Sequence, residues 1–265
     1  MKKHKKQRPL KQATTSVRAI STVITTIIVT AVLLVILVVA AFVSENILSL
    51  QLASTEFDQA TTNMGLLDQV IQDAALRQGA GGYVQFNQRT GGIGMNQTAN
   101  TLSIVAVAKY GNSTTWQWSS LLSLLYHGGS EVSGAAKDIS GTPDLNVSIS
   151  DPLSFLRVEV GQGIWVKLDY NRIRTISMGT LIANNSAYDF YDITFIHLIK
   201  GTISGGSGTV NVKVQNLNIN TTSISCPNGV TVTARLNAGQ PISVVSDPNS
   251  TVVMITEIAT RVSIG

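Results

Sequence analysis

The stretch AISTVITTIIVTAVLLVILVVAAFVS, residues 19–44, holds 26 consecutive residues without a charge. At about 1.5 Å of rise per residue, a helix of this length covers more than the roughly 30 Å of hydrocarbon in a bilayer. The first eighteen positions carry seven basic residues, namely Lys2, Lys3, Lys5, Lys6, Arg8, Lys11 and Arg18. Because basic residues stay on the cytoplasmic side, the sequence predicts a membrane segment with a cytoplasmic N-terminus and an external C-terminal domain.

The distribution of charged residues changes at the same position. Seven of the nineteen Lys and Arg residues lie before residue 19, so the remainder carries twelve against fifteen Asp and Glu, a formal charge of −3. The basic run contains no interleaved aromatic residue, so we expect no nucleic-acid partner. With one cysteine, Cys226, an internal disulfide is excluded. The external part must therefore be stabilised by packing, and it is long enough to bury a core.

The junction in front of the apolar run differs from an ordinary secretory signal. The run is long, and residues 44–46 (SEN) follow it rather than an Ala-x-Ala cleavage pattern. The polar tail instead ends at Arg18-Ala19, directly before Ile20. This arrangement resembles the class III leader of archaeal type IV pilin-like proteins, whose basic leader is removed in front of the hydrophobic helix. The resemblance implies that a prepilin-type peptidase cuts between Ala19 and Ile20.

Two further features bear on this resemblance. Bacterial type IV pilins usually carry a glutamate at the fifth mature position, which is Ile24 here, so the archaeal class is favoured. Residues 57–89, FDQATTNMGLLDQVIQDAALRQGAGGYVQFNQR, resemble the helix-to-sheet junction of archaeal membrane-anchored pilin-like proteins. The alternative is an uncleaved single-pass anchor with a basic flank.

The helical pattern continues beyond the membrane segment. One apolar stripe recurs at alternating steps of three and four residues, through Leu50, Ala53, Phe57, Ala60, Met64, Leu67, Ile71 and Ala74. Residues 79–82 (GAGG) predict its end. We expect the stripe to pack on the chain's own external domain rather than to form an isolated coiled coil. The flanking charges, Glu56, Asp58, Asp68, Asp73 and Arg77, are expected to face solvent or neighbours.

Beyond residue 82 the pattern changes to the period of two that is typical of strands. Strands are predicted at residues 83–87, 103–109, 164–170, 192–200, 210–219, 230–236, 242–246 and 251–256, with a bulge at Gln215-Asn216 and a short helix at residues 115–126. The prediction is an α+β protein in which a long N-terminal helix precedes an all-β, sandwich-like head. The segments are a basic leader (1–19), the helix (20–78, with a membrane part 20–43 and an amphipathic part 44–78) and the head (79–265).

Few sequence motifs indicate catalysis or the binding of a cofactor or metal. Asp189 and Asp192 could form a carboxylate pair, but in a strand they face opposite sides, and His197 lies within an apolar run. The segment Gly201–Gly208 lacks the Gly-Lys-Ser/Thr of a phosphate loop and predicts a hairpin loop. We therefore expect no catalytic residue, no cofactor and no metal site. An anchored hydrolase would require Asp189, Asp192 and His197 in one pocket.

Six asparagines open an Asn-x-Ser/Thr sequon in the part predicted to lie outside: Asn96, Asn112, Asn146, Asn184, Asn220 and Asn249. They are candidates for N-glycosylation. The leading hypothesis is a non-enzymatic cell-surface subunit, processed by a prepilin-type peptidase and packed through its helix with copies of itself or related pilins in a filament. The head is expected to mediate adhesion or subunit contacts. The second hypothesis is a permanently anchored binding protein that contacts membrane lipid but does not polymerise.

Overall fold

The computed structural model describes the backbone of residues 14–111, 113–183, 186–206 and 208–265. Side chains are described from Thr22 onward within these ranges, except that of Ala183. One long helix, α1 (Thr14–Ala75), precedes a β-rich region, which confirms the predicted α+β class. The chain separates into two compact units, one ending at Gln51 and the other comprising Leu52–Gly265. The second unit contains the last six turns of α1 together with all the strands.

Fifteen strands follow α1 in the described residues. They are β1 (Gly81–Gln88), β2 (Gly92–Gln97), β3 (Thr101–Ala108), β4 (Ser113–Ser119), β5 (Leu122–His127), β6 (Lys137–Ser140), β7 (Asn146–Val147), β8 (Phe155–Gly161), β9 (Gly163–Asp169), β10 (Ile173–Ala183), β11 (Ser186–Ile203), β12 (Gly208–Cys226), β13 (Val230–Leu236), β14 (Ile242–Asp247) and β15 (Thr251–Ile264). All the strands predicted from alternation are present, and β11, β12 and β15 are longer than predicted.

The strands form three sheets. The central sheet has the order β1-β12-β15-β11-β10-β7, the second sheet the order β2-β5-β9-β8-β6, and the third sheet the order β14-β13-β3-β4. Most neighbours are antiparallel, but β11 runs parallel to β15, and β7 runs parallel to β10. Because β15 lies between β11 and β12, the loop after β11 crosses the end of β15. The prediction of a simple hairpin at residues 201–208 is therefore wrong, since the two strands it joins are not neighbours.

The stripe of α1 lies in the core of the second unit. The stripe residues Ala53, Phe57, Ala60, Met64, Leu67, Ile71 and Ala74 are all buried. Those from Phe57 onward belong to a core that they share with the second sheet and with one face of the central sheet. This confirms that the stripe packs on the head rather than forming a separate coiled coil. Leu50 is the exception, because it is 44% exposed and belongs to the first unit.

The central sheet supports two cores on opposite faces. In β11, Ile196 and Leu198 belong to the core that contains the helix stripe. Ile193 and Phe195, which have the other parity, belong to a second core shared with the third sheet. Since successive side chains of a strand point to opposite faces, the two cores lie on opposite sides of the same long strands.

The end of α1 is fixed by β12. Gly79 adopts a positive φ of 79°, which stops the helix as the glycine-rich stretch predicts. The buried side chain of Asn216 donates to the carbonyls of Ala74 and Ala75 at 3.0 and 3.3 Å. The register of β12 against β15 shifts between Asn216 and Asn218, within one residue of the predicted bulge. The bulge thus coincides with the residue that caps the helix.

The helix predicted at residues 115–126 is wrong. This segment forms most of β4 and β5, which are separated by residues 120–121, where Ser120 adopts a φ of 61°. β5 lies between β2 and β9, and both of its faces are largely covered, so Leu122, Ser123 and Leu124 are all buried. Burial on both faces removes the alternation of polar and apolar residues that identifies a strand in sequence.

Candidate functional site

The first unit exposes a long apolar helix surface. Eighteen large apolar side chains between Val23 and Leu50 are 44–70% exposed. The segment is long and apolar enough to cross a membrane, and none of its most hydrophobic window is buried within the protein. A surface of this size is unfavourable in water and requires an apolar environment. The segment is therefore compatible with membrane anchoring, and a signal sequence would share the same properties.

Hydroxyl groups within this segment bond to the helix itself. The Thr26 hydroxyl donates to the Thr22 carbonyl at 2.8 Å, and the Thr30 hydroxyl donates to the Thr26 carbonyl at the same distance. Each hydroxyl lies four residues beyond its acceptor, the spacing at which a side chain can reach the preceding turn. These hydroxyls therefore need no water when the helix is placed in an apolar medium.

The predicted cleavage residues lie at the start of α1. The helix backbone includes Arg18, Ala19 and Ile20, whose side chains lie outside the described residues. The rest of the basic leader, residues 1–13, also lies outside the described residues. The structure therefore places the cleavage position on a helical backbone and leaves the processing itself as a prediction.

In the second unit, the Glu56 carboxylate binds the loop that follows β1. Oε1 accepts the amide of Arg89 at 2.9 Å, and Oε2 accepts the amide and the hydroxyl of Thr90 at 3.0 and 2.7 Å. The Tyr126 hydroxyl donates to Oε1 at 3.1 Å, and the amide of Gly91 lies 3.3 Å from the same oxygen. We call this group of contacts the Glu56 latch. It ties the first turn of the buried helix stripe to the end of β1.

The latch changes the acidity of two groups. Burial desolvates Glu56 and opposes ionisation, but hydrogen bonds from Thr90 and from the amides of residues 89–91 outweigh it and lower the pKa. Burial and the nearby negative charge of Glu56 raise the pKa of Tyr126. Both shifts favour a charged Glu56 that accepts a hydrogen bond from a neutral Tyr126.

We expect Glu56→Gln to destabilise the second unit by about 1–2 kcal/mol at neutral pH, because amide donors then lose a charged acceptor that is only partly exposed. A lowered pKa in the folded state stabilises the protein above the ordinary glutamate pKa of about 4.3, and that contribution disappears as the pH falls through the folded value. Urea unfolding of the wild type and the variant at pH 7 and pH 3 measures both effects.

The matched control is Asp58→Asn, which removes a carboxylate two residues away on the exposed side of the same helix. The stability of this control should stay close to that of the wild type at both pH values. A loss of stability in Glu56→Gln that was as large at pH 3 as at pH 7 would contradict the role of the charge.

Asp68 is buried, which corrects the expectation that it faces solvent. It is 5% exposed, and Oδ2 accepts the Ser154 hydroxyl at 2.9 Å. The Tyr170 hydroxyl donates to Oδ1, and burial together with the charge of Asp68 raises the pKa of Tyr170. The hydrogen-bond donors to this carboxylate thus come from the segment that precedes β8 and the segment that follows β9. It lies four residues after Met64, a spacing that places two side chains on one helix face.

A second buried network lies at the end of β9. Asp169 accepts hydrogen bonds from Arg172 at 2.5 Å and from Arg157 at 2.9 Å. The two guanidinium groups lie against the Phe155 ring, 4.6 and 4.7 Å from its centroid. The Arg172 Nε also donates to the Thr142 carbonyl at 2.7 Å. The protein's own groups occupy these polar atoms, so the network is structural.

The residues named for a hydrolase do not meet. Asp189 and His197 lie on the same face of β11 but eight residues apart, about 26 Å along a strand, and Asp192 lies on the opposite face. A hydrogen bond from Thr180 lowers the pKa of Asp189, whereas Asp192 accepts the hydroxyls of Thr194 and Thr256. No shared pocket brings the three side chains together.

His197 instead pairs with β15. Its Nδ1 lies 2.9 Å from Oε1 of Glu257, and its ring stacks on Phe195 at 5.8 Å. The contact with His197 lowers the pKa of Glu257, with a further contribution from Trp118. Both residues of the pair lie in the central sheet, and the hydrogen bond between Glu257 and Trp118 of β4 links the pair to the third sheet.

One groove lies beside the latch. It has a volume of about 580 Å³ and is lined by Leu52, Thr55, Glu56, Gln59, Asn87, Gln88, Arg89, Gly208 and Thr209. These residues include no histidine, no cysteine and no second carboxylate, and the Glu56 oxygens are already bonded to the loop. Over the described ranges, no three side chains of His, Cys, Asp or Glu are grouped so that they could hold a metal ion.

Four of the six sequons fall within the described residues. Asn96, Asn220 and Asn249 are exposed, and Asn146 is half-buried. Asn112 and Asn184 lie outside the described residues. The four described sequons therefore share one sequence pattern but differ in exposure.

The buried polar contacts of Glu56, Asp68 and Asp169 were missed in the sequence. The spacing of Asp68 from Met64 is the one signal that could have indicated burial. The partners of the other two acids come from distant strands and loops.

Comparisons of the chain with protein-family models, with curated proteins and with solved structures give no match. The function is therefore argued from this chain's own residues.

Proposed function

We propose that the protein is a non-enzymatic cell-surface structural subunit of the archaeal type IV pilin-like class. A prepilin-type peptidase would remove the basic leader, and the apolar helix from Ile20 to about Val43 would then leave the bilayer and pack against copies of itself or related pilins. The head would form the outer, extracellular surface of the assembly, where it contacts other subunits or mediates adhesion.

The exposed apolar helix is the observation that carries this proposal. Burial of one Val, Leu or Ile side chain contributes about 1.5–3 kcal/mol, and this segment offers eighteen large apolar side chains. No glycine interrupts residues 20–43, and leucine and β-branched residues supply faces that can pack on neighbouring helices. The next turns of α1 are instead buried in the head, so each copy would carry its head on the same helix that packs.

The internal contacts of the head support a structural role. Glu56, Asp68 and Asp169 are acids in partly or fully buried positions, and each one is bonded to groups of the protein itself. Catalysis requires polar groups that converge on a substrate, whereas these three carboxylates already accept hydrogen bonds from the protein's own groups.

The N-terminus of the native protein tests the proposal. We expect N-terminal sequencing to find a start at or next to Ile20. Replacing Arg18 and Ala19 with glutamate should block processing and abolish surface filaments seen by electron microscopy. The matched control carries glutamate at Thr14 and Thr15, which adds two acids to the leader away from the cleavage bond, and it should be processed normally.

The second candidate is a permanently anchored single-pass protein, which the same apolar segment also favours. A native chain that retains Met1 or Lys2 and stays monomeric in detergent would establish this alternative. Normal filaments from the Arg18 and Ala19 variant would contradict processing at this position.

A further inference from the structure

The central sheet has an open edge along part of β12. β1 pairs with residues 208–215 of this strand, whereas β15 pairs with it as far as Cys226. Residues 218–223 therefore have a neighbouring strand on one side, and no other strand of the described chain pairs with their second side. We call residues 218–223 the open edge.

The sequence of the open edge favours strand pairing. It reads NINTTS, without a charge and without a proline. Its register with β15 is regular from Asn218, paired with Ala259, to Ser223, paired with Met254. Natural edge strands are usually protected by lysine, proline, bulges or a covering segment, because an unprotected edge binds other strands. The bulge of β12 precedes the open edge and does not interrupt it.

A sequon lies in the middle of the open edge. Asn220 and Thr222 are two residues apart, so their side chains point to the same face of the strand. Both residues are exposed, and the side chains of both make no hydrogen bond to another described residue. The acceptor amide and the hydroxyl of the motif are thus both accessible from one side.

The other three described sequons lack this combination. The Thr98 hydroxyl of the Asn96 sequon donates to the Leu121 carbonyl at 3.1 Å. The Asn249 amide donates to Asp189 at 3.3 Å, and the third residue of that motif, Thr251, is fully buried.

Asn146 is also poorly placed as an acceptor. It is half-buried, and its Oδ1 is buried without a hydrogen-bond partner. The hydroxyl of the same motif, that of Ser148, donates to Asp151 at 2.7 Å. Among the sequons that the structure describes, Asn220 is therefore the one that combines an exposed amide with an exposed hydroxyl, neither of them bonded to another described residue.

We infer that Asn220 carries an N-linked glycan and that this glycan protects the open edge from pairing with another chain. The inference rests on the proposed function only in that the head must lie on the extracellular side of the membrane. A bulky sugar chain attached to the centre of the edge occupies the space that the side chains of an incoming strand would need. The edge can then remain uncharged without becoming a site of uncontrolled association.

The required chemistry is a transfer of a glycosyl group. The donor class is a sugar linked through phosphate to a lipid carrier. The Asn220 Nδ2 forms a bond to the anomeric carbon as the bond between that carbon and the phosphate oxygen breaks. The phosphate leaves with the electron pair, and the amide loses one proton. No oxidant or reductant is needed.

Peptide mass spectrometry of the native protein tests the modification directly. Cleavage after Lys and Arg places each of the six sequons on a different peptide, and residues 214–235 contain Asn220 alone. We expect a glycan on this peptide at higher occupancy than on the peptides that contain Asn96, Asn146 or Asn249. An unmodified Asn220 overturns the inference, whether or not the other sequons are modified.

A variant series tests the protective role. Asn220→Gln and Thr222→Ala remove the sequon at an exposed position, whereas Thr222→Ser preserves it and is the matched control. Each is combined with Ser223→Cys in the full chain, whose one native thiol, Cys226, is buried. In detergent, we expect a short thiol cross-linker to give at least threefold more dimer in the two variants without a sequon. Equal yields in all three overturn the protective role.

These outcomes are separable from those of the proposed function. A modified Asn220 on a chain that retains its leader supports the inference and contradicts pilin-type processing. An unmodified Asn220 on a chain that starts at Ile20 contradicts the inference and supports pilin-type processing.

Discussion

Leu67→Ala is expected to lower the free energy of unfolding of the second unit by about 3–5 kcal/mol. Leu67 is fully buried at the centre of the helix stripe, between Met64 and Ile71. The substitution leaves a cavity between the helix and two sheets, and these elements can collapse only in part. All three tryptophans of the chain, at positions 116, 118 and 165, lie in the head, so their fluorescence during urea unfolding in detergent reports this unit.

The neighbouring residue provides the control for this prediction. Leu66 is 47% exposed, so Leu66→Ala removes the same atoms from the same helix at a cost of about 1 kcal/mol or less. Similar losses in the two variants would contradict the packing of the stripe. They would indicate instead that the helix is not held against the sheets in solution.

We expect Asp169→Asn to lower the free energy of unfolding by about 3–5 kcal/mol, which is the second large effect. The substitution keeps the shape of the side chain but removes the charge that faces both Arg172 and Arg157. Arg172 is 5% exposed, so its guanidinium group would remain buried without a counter-ion. The same fluorescence-detected unfolding measures the loss, and because the network is largely desolvated, added salt should change it little.

The network contains its own control. Glu159 accepts a hydrogen bond from Arg157 at 2.6 Å, but its side chain is 43% exposed. Glu159→Gln should therefore cost about 1 kcal/mol or less, since water can solvate the groups that it leaves. If Glu159→Gln cost as much as Asp169→Asn, the difference in burial would not be what determines the stability of the network.

The position and length of the helix could be predicted because its sequence signals are local and strong. Residues 19–44 differ from everything else in the chain, and the stripe from Ala53 to Ala74 keeps its period over six turns. The strands with one buried face, such as β9 and β13, were predicted for the same reason. Their alternation is visible within seven residues.

The remaining features depend on contacts between distant residues. β5 is covered on both faces and so lost its alternation, which led to the wrong helix prediction. The insertion of β15 between β11 and β12 joins the last strand to two earlier strands. The open edge could not be predicted, because it exists only where β1 ends against β12. The burial of Asp68 likewise depends on Tyr170, which lies 102 residues away.

The two cores on opposite faces of the central sheet have a consequence for cooperativity. β11, β12 and β15 each contribute side chains to both cores. Loss of packing on one face would free the shared strands and weaken the support of the other face. The head is therefore expected to lose its structure as a single cooperative unit, although its hydrophobic side chains form two separate clusters.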